Sequence, residues 1–204
     1  PTTHCNPIQG PHPHGSMGVP FPDTDARIVD VETGHRDVSI GEAGELVVRG
    51  PQVMQGYWNN EAETRAVLRD GWLYTGDIVR RDEDGFFFFM DRKKDVIKPW
   101  GETVYPREVE EILSQHPAVQ EAVVVGTPDH HYGEAVKAYV VPISGTSVTE
   151  QDLIDHCRTS LARFKVPTVI EFRSELPRTI IGKVLRRALR DGAERPVTDA
   201  QPTR

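Results

Sequence analysis

The chain has 204 residues, 37% of them hydrophobic and 27% charged, with a net charge of −7. That length suits one domain or two small ones, and no window approaches the roughly 20 apolar residues of a membrane-spanning helix. The acidic balance argues against a nucleic-acid binder, which needs a basic face to displace counterions.

In chain order, the opening Pro1-Thr2-Thr3-His4 has no basic start, apolar run or initiator Met, so it reads as neither a signal peptide nor a natural beginning. Cys5 and Cys157 are far apart and read as reduced thiols of a cytoplasmic protein. Residues 1–22, rich in Pro, His and Gly, read as an irregular connector. Strands are expected at Ala26–Val29 and Glu45–Arg49, and a short helix at Glu61–Leu68, ended by Asp70-Gly71. Ile78–Arg81 and Phe86–Met90 flank Asp82-Glu83-Asp84-Gly85 as a hairpin, and Phe86–Phe89 reads as a doubly buried strand.

Beyond Asp95 the pattern changes. Pro106 suits the first position of a helix carrying Val109, Ile112 and Leu113. Val123–Val125, Ala138–Val141 and Val169–Phe172 read as strands. Thr149-x-x-Asp152 is a capping-box signature before Leu153, Ile154, Cys157 and Leu161. Lys183–Arg190 reads as a last basic helix with Val184, Leu185 and Leu189 inward, and residues 192–204 as a polar tail. The fold class is therefore α+β, a β-rich half at 1–93 followed by a mixed unit at 94–204.

Three motifs carry chemistry. In Tyr74-Thr75-Gly76-Asp77 the glycine lets the backbone turn, and a carboxylate can take both hydroxyls of a ribose; the plainer reading is an aspartate closing a turn. Asp91 to Gly101 packs four cations and two aspartates into eleven residues, and the plainer reading is a solvated strand end. In Pro177-Arg178-Thr179-Ile180-Ile181-Gly182-Lys183 a lysine ends a glycine loop, where a compact charge can meet two anions; the plainer reading is a solvated lysine before a basic helix.

Taken together and in this order, the three motifs resemble those of the AMP-forming acyl-CoA synthetases, the adenylate-forming ligases. The resemblance covers nearly all of the chain but only the last third of such an enzyme. It implies that 1–93 is the C-terminal, β-rich part of the AMP-binding domain and 94–204 the mobile C-terminal domain. It implies that Lys183 is the adenylation lysine, that Asp77 holds the AMP ribose, and that Arg92 contacts ribose or phosphate. Lys94 takes the hinge position, and Lys98 and Gly101 the loop that approaches the thiol arm of CoA in the second half-reaction. Trp100, beside Gly101 in that CoA tunnel, departs from the small residues usual there, as do Pro99 and Glu102. Asp91 stands where many relatives have glycine.

The implied reaction joins ATP, a carboxylic acid and CoA, with Mg²⁺ travelling with ATP and no metal held by protein side chains. Gly15-Ser16-Met17-Gly18-Val19-Pro20-x-Pro22-x-Thr24 is similar to bacterial fatty-acyl ligases, so a fatty acid is the expected acid. An aryl- or coumaroyl-CoA ligase and an amino-acid adenylation domain stay open, as does peripheral membrane contact by the parent. Gly44-Glu45-Leu46 through Gly56-Tyr57-Trp58 is similar to a structural motif of the family, with Tyr57 and Trp58 expected to pack and no chemistry assigned. The family's phosphate loop and its Tyr-Gly-x-Thr-Glu do not occur in these residues. The expected parent therefore includes a missing N-terminal part, and the fragment itself is expected to be inactive. Two readings of other classes remain: a non-catalytic AMP-binding or interaction module, and a nucleic-acid contact through Arg186, Arg187 and Arg190.

Overall fold

The structure is a computed structural model that describes residues 2–131, 133–190 and 192. Of the polar tail expected at 192–204, all but Gly192 lies outside them. The chain divides into two compact units, Pro1–Val96 and Ile97–Arg204.

The first unit is one mostly antiparallel sheet. Its strands are β1 (His4–Cys5), β2 (Ser16–Pro20), β3 (Asp25–Val29), β4 (Gly44–Arg49), β5 (Leu68–Arg69), β6 (Trp72–Arg81) and β7 (Phe87–Arg92). They run in the order β1-β2-β7-β6-β4-β3, with β5 paired to β6. One face buries Ile28, Leu46, Val48, Leu73, Val79 and Phe87 together. Helix α1 (Glu61–Val67) starts at Asn60, whose side chain accepts from the Glu63 N–H, the ordinary N-cap bond.

Three expectations need correction here. Residues 1–22 are not all irregular, because β1 and β2 lie within them and β2 pairs with β7. Asp70-Gly71 does not end α1 directly. The helix gives way to β5, and both turn residues take positive φ (49° and 79°) in a two-residue hairpin that pairs Arg69 with Trp72, the conformation Asp-Gly favours. The four phenylalanines are not buried throughout: Phe86 and Phe87 are, whereas Phe88 and Phe89 are half-buried, with the Arg80 guanidinium 4.4 Å over the Phe88 ring.

The second unit is a three-stranded sheet, β8 (Val119–Asp129), β9 (Gly133–Pro142) and β10 (Val169–Phe172), ordered β10-β9-β8. Helices α2 (Pro106–Ser114) and α3 (Glu150–Arg158) share one core with Val109, Leu113, Ala122, Val124, Leu153 and Cys157. Val123, Val125, Tyr139 and Val141 form a second core with Leu189 of α4 (Arg186–Arg190). Neighbouring residues of β8 thus enter different cores, so the run Val123-Val124-Val125 is apolar throughout because both faces are covered. The last helix begins at Arg186 rather than Lys183, and Leu185 is 41% exposed rather than inward. Gly126–Asp129 continues β8 beyond the expected strand.

Candidate active site

The β-sheet of the first unit is distorted at two of the motifs. Along the β4–β6 ladder Glu45 pairs with Ile78 and Val47 with Tyr74. Leu46 alone therefore faces Thr75, Gly76 and Asp77, which bulge out of β6. Side chains hold the bulge: the Thr75 hydroxyl donates to Leu46 O at 2.8 Å and accepts from the Asp77 N–H at 3.1 Å. Along β6–β7, Asp77 pairs with Arg92 and Ile78 with Asp91, but Val79 pairs with Phe89, leaving Met90 as a second bulge. Bulges of this kind re-aim side chains next to sites of chemistry.

The two bulges bring Asp77 and Arg92 together. Arg92 Nε lies 2.7 Å from Asp77 Oδ1, yet that oxygen is buried and accepts no hydrogen bond among the described residues. The separation is that of an ion pair, but the N–H is not aimed at the oxygen. Burial is the main cause that lifts the Asp77 pKa above the ordinary carboxylate value; Arg92 opposes the rise and the Glu45 charge adds to it. A half-buried carboxylate ion-paired with a half-exposed guanidinium suits a ligand that brings hydroxyl donors and negative charge. Asp91 is buried and accepts from the Arg92 N–H at 2.7 Å.

The sequence reading missed Glu45 and Lys93. Glu45 is buried; its Oε2 takes Lys93 Nζ at 2.7 Å and its Oε1 the Gly76 N–H at 3.2 Å. Lys94, the expected hinge, is exposed at a tight turn in which Asp95 N–H and Val96 N–H both donate to Arg92 O. The boundary between the compact units falls slightly further along, between Val96 and Ile97.

In the second unit Lys98 is exposed, and its N–H donates to Glu134 Oε2 at 2.6 Å. Pro99, Trp100 and Gly101 form a single turn, closed by Glu102 N–H to Pro99 O at 2.9 Å. Trp100 takes φ 54° and is 62% exposed, a left-handed conformation uncommon for a bulky residue and often kept at functional sites. Pro99 and Trp100 line a cavity of about 720 Å³ with Phe164, Arg158, Arg163 and Glu134.

Lys183 sits on a second turn. Thr179 N–H donates to Lys183 O at 2.7 Å and Gly182 N–H to Thr179 O at 2.8 Å, with Gly182 at φ 81°. That is a hairpin whose left-handed position is glycine. Lys183 is exposed, and no carboxylate among the described residues pairs with it. The flanks of the turn are tied down by pairs the sequence reading did not find. Arg178 binds Glu121 at 2.6 Å, and Arg186 forms a bidentate pair with Glu110 at 2.6 and 2.8 Å. Glu110 also accepts from the Val124 N–H. Arg186 is thus committed inside the protein, against the nucleic-acid reading.

Tyr57 and Trp58 do not pack as expected; they are 46% and 92% exposed. Among the described residues no cluster of three or more His, Cys, Asp or Glu could hold a metal ion. His4 stacks on Phe87 at 4.5 Å, and its burial lowers its pKa to about 4. No helix among the described residues is long and apolar enough to cross a membrane.

Comparison with known proteins gives the family. Residues 1–58 match the model of the AMP-binding enzymes, and residues 108–183 match that of the AMP-binding enzyme C-terminal domain. A long-chain-fatty-acid–CoA ligase of Bacillus subtilis is 53% identical over 189 residues, 93% of this chain and 34% of that protein. A feruloyl-CoA synthase of Amycolatopsis is 45% identical, over 86% of this chain and 35% of that protein. The crystal structure of ATP-bound MatB from Rhodopseudomonas palustris superposes with a TM-score of 0.88 at 35% identity, over 93% of this chain and 38% of that one. The chain thus spans about a third of the length of the curated relatives it matches. With both family models matched in order and the fold shared, the chain belongs to the AMP-binding, adenylate-forming enzyme family.

Proposed function

We propose that this chain supplies the nucleotide-holding sheet and the small α+β unit of a cytoplasmic fatty-acid–CoA ligase. The observation that carries the reading is the half-buried Asp77 carboxylate ion-paired with Arg92 at 2.7 Å, set on paired bulges in a chain of this family. Asp77 is the ribose acceptor, and Arg92 balances charge near ribose or phosphate. In the first half-reaction a carboxylate oxygen of the fatty acid attacks the α-phosphorus of ATP, and the bond to pyrophosphate breaks. Charge collects on the phosphoryl oxygens, where a fixed cation stabilises the transition state. Lys183, exposed on its anchored turn, is that cation. In the second half-reaction the thiolate of CoA attacks the acyl carbon and AMP leaves. The turn holding Lys98, Trp100 and Gly101 guides the thiol arm, and the adjacent cavity with its two arginines offers room for the rest of the acceptor. Mg²⁺ comes with the phosphates of ATP.

The proposed domains are 1–93, within the AMP-binding domain, and the mobile domain from 94 onward, with Lys94 as the pivot between half-reactions. A few backbone torsions suffice for such a swing. Lys94→Pro should spare acyl-AMP formation more than thioester formation if the enzyme rests in its adenylating pose; equal loss in both would remove Lys94 from the pivot. The phosphate loop and acyl pocket fall outside these residues, so the 204-residue chain alone should show no ATP–pyrophosphate exchange with any fatty acid. Robust exchange by the pure chain would refute this.

The second reading, an aryl-CoA ligase, has the feruloyl-CoA synthase match in its favour. A panel of long-chain fatty acids and cinnamic acids, assayed with the complete enzyme, separates the two. Preference for a cinnamic acid would sink the fatty-acid assignment.

A further inference from the structure

Glu45 belongs to a stretch that supplies core residues, yet it is a carboxylate with only 5% of its side chain exposed. Its neighbours Leu46, Val47 and Val48 are buried apolar residues. A buried carboxylate is costly unless it is paired and hydrogen-bonded, and Glu45 is both. Its two oxygens divide their work between β6 and the turn after β7: Oε1 takes the Gly76 N–H, and Oε2 takes Lys93 Nζ. Gly76 immediately precedes Asp77, and Lys93 immediately follows Arg92. The same two residues are joined directly, Lys93 N–H donating to Gly76 O at 2.8 Å. Each ligand-facing residue thus has its chain neighbour held by one side chain on a third strand. The bulge at Thr75–Asp77 has lost its regular ladder partners on β4, so the Glu45 carboxylate and the Thr75 hydroxyl take the place of the missing ladder.

We propose that Glu45 is a positioning residue for the nucleotide, fixing Asp77 against Arg92 through Gly76 and Lys93. The proposal rests on the nucleotide reading of Asp77 given above. It extends that reading to a residue that touches no substrate and that its motif presents as structural only. Gln at this position keeps one acceptor for Gly76 and gives up the charge that holds Lys93. Ala gives up both.

The test is a double-mutant cycle in the complete ligase, with KM for ATP and kcat read separately in acyl-AMP formation. Glu45→Ala should raise KM for ATP about tenfold, Glu45→Gln about threefold, and kcat should change less than KM. In an Asp77→Ala background, removal of Glu45 should add less than about twofold, because Glu45 acts through Asp77. In the 204-residue chain, Glu45→Ala should speed hydrogen exchange at the Gly76 amide. If the Glu45→Ala protein does not fold, the Glu45→Gln cycle carries the same criterion on its smaller effect. A full, undiminished effect of either Glu45 variant in the Asp77→Ala background would overturn the proposal. So would a lowered melting temperature with unchanged KM. An unchanged KM in Asp77→Ala alone is a different failure: it removes the nucleotide reading itself, and the Glu45 proposal with it.

Discussion

The two units carry their candidate residues in opposite ways. In the first, Asp77 and Arg92 lie inside paired strands, and the atoms around them are held by Thr75, Glu45 and Lys93. In the second, Lys98, Trp100, Gly101 and Lys183 lie on short turns, all exposed, with Lys98 N–H held by Glu134 and the flanks of the Lys183 turn held by Arg178 and Arg186. A group that holds one ligand through both half-reactions gains from a fixed frame, since preorganised groups cost nothing to align at the moment of reaction. A group needed in only one half-reaction gains from an exposed turn that can approach and withdraw. On the proposed reading, the contrast between strand-borne and turn-borne residues is a contrast between constant and alternating duties.

The largest expected effect tests the alternating pair. Lys183→Ala in the complete enzyme should lower acyl-AMP formation by about 10²–10³, the scale of losing one transition-state donor. CoA transfer from preformed acyl-AMP should stay nearly intact. Gly101→Leu should do the reverse. Gly101 sits at φ 81°, where a Cβ is strained, and the larger side chain would obstruct the thiol arm. Single-turnover measurements of each half-reaction decide it. Loss of thioester formation alone in Lys183→Ala, or of adenylation alone in Gly101→Leu, would exchange the two assignments.

Next in size is a test of how far the units stand alone. Leu153 is fully buried among Val109, Leu113 and Cys157. Leu153→Ala removes its methyl groups and leaves a cavity, at a cost of about 2–5 kcal/mol. Denaturant unfolding followed through hydrogen exchange should show that loss in the second unit, with protection in β4 and β6 unchanged. Equal loss in both units would mean that they unfold as one body.

A smaller effect sharpens the picture of the fixed frame. The Asp77 carboxyl titrates above the ordinary carboxylate value, chiefly because it is buried. Only the ionised form offers its full set of acceptors to a ribose. KM for ATP should therefore fall as pH rises through that elevated pKa. Asp77→Asn should flatten the dependence and weaken ATP by about tenfold, the scale of a lost hydrogen bond to a charged group. A pH profile identical in the two proteins would detach Asp77 from the nucleotide.

What the sequence disclosed divides along the same line. Features closed within a few residues were legible: the Asp82–Gly85 hairpin, the Thr149–Asp152 cap, the Val123–Val125 strand and the Gly182-Lys183 turn. Each depends on local turn chemistry or on periodicity. Asp70-Gly71 was local too, and the same Asp-Gly rule would have found its hairpin. The frame around Asp77 was not legible, because it depends on register. That Leu46 faces three residues of β6, and that Met90 is extra on β7, appears only when three strands are aligned. The anchors of the Lys183 turn span 57 residues for Arg178–Glu121 and 76 for Arg186–Glu110, and no pattern in either segment names its partner. Tyr57 and Trp58 were expected to pack because their stretch is similar to a structural motif, and their exposure in this chain shows that membership of such a motif does not by itself bury an aromatic residue.

The smallest effect concerns a feature legible from sequence and confined to the second unit. Thr149 Oγ1 accepts from the Asp152 N–H at 3.2 Å, while Asp152 Oδ2 accepts from the Thr149 N–H at 2.9 Å. Two N–H groups at the start of α3 are thereby satisfied without water. The Asp152 carboxyl is held below its ordinary pKa, first by the Thr149 hydroxyl and then by its backbone N–H. Thr149→Ala removes one half of the box and should cost about 1 kcal/mol, read as faster hydrogen exchange in the first turn of α3. The carboxylate half of the box should weaken as pH falls through the depressed Asp152 pKa, because the protonated carboxyl is a poorer acceptor. Both half-reactions should keep their rates in Thr149→Ala, since the bonds of this cap run between Thr149 and Asp152. A changed rate in either half-reaction would mean that the turn-borne residues depend on the frame of their own unit as closely as Asp77 depends on its strands, and the contrast between the two units would narrow accordingly.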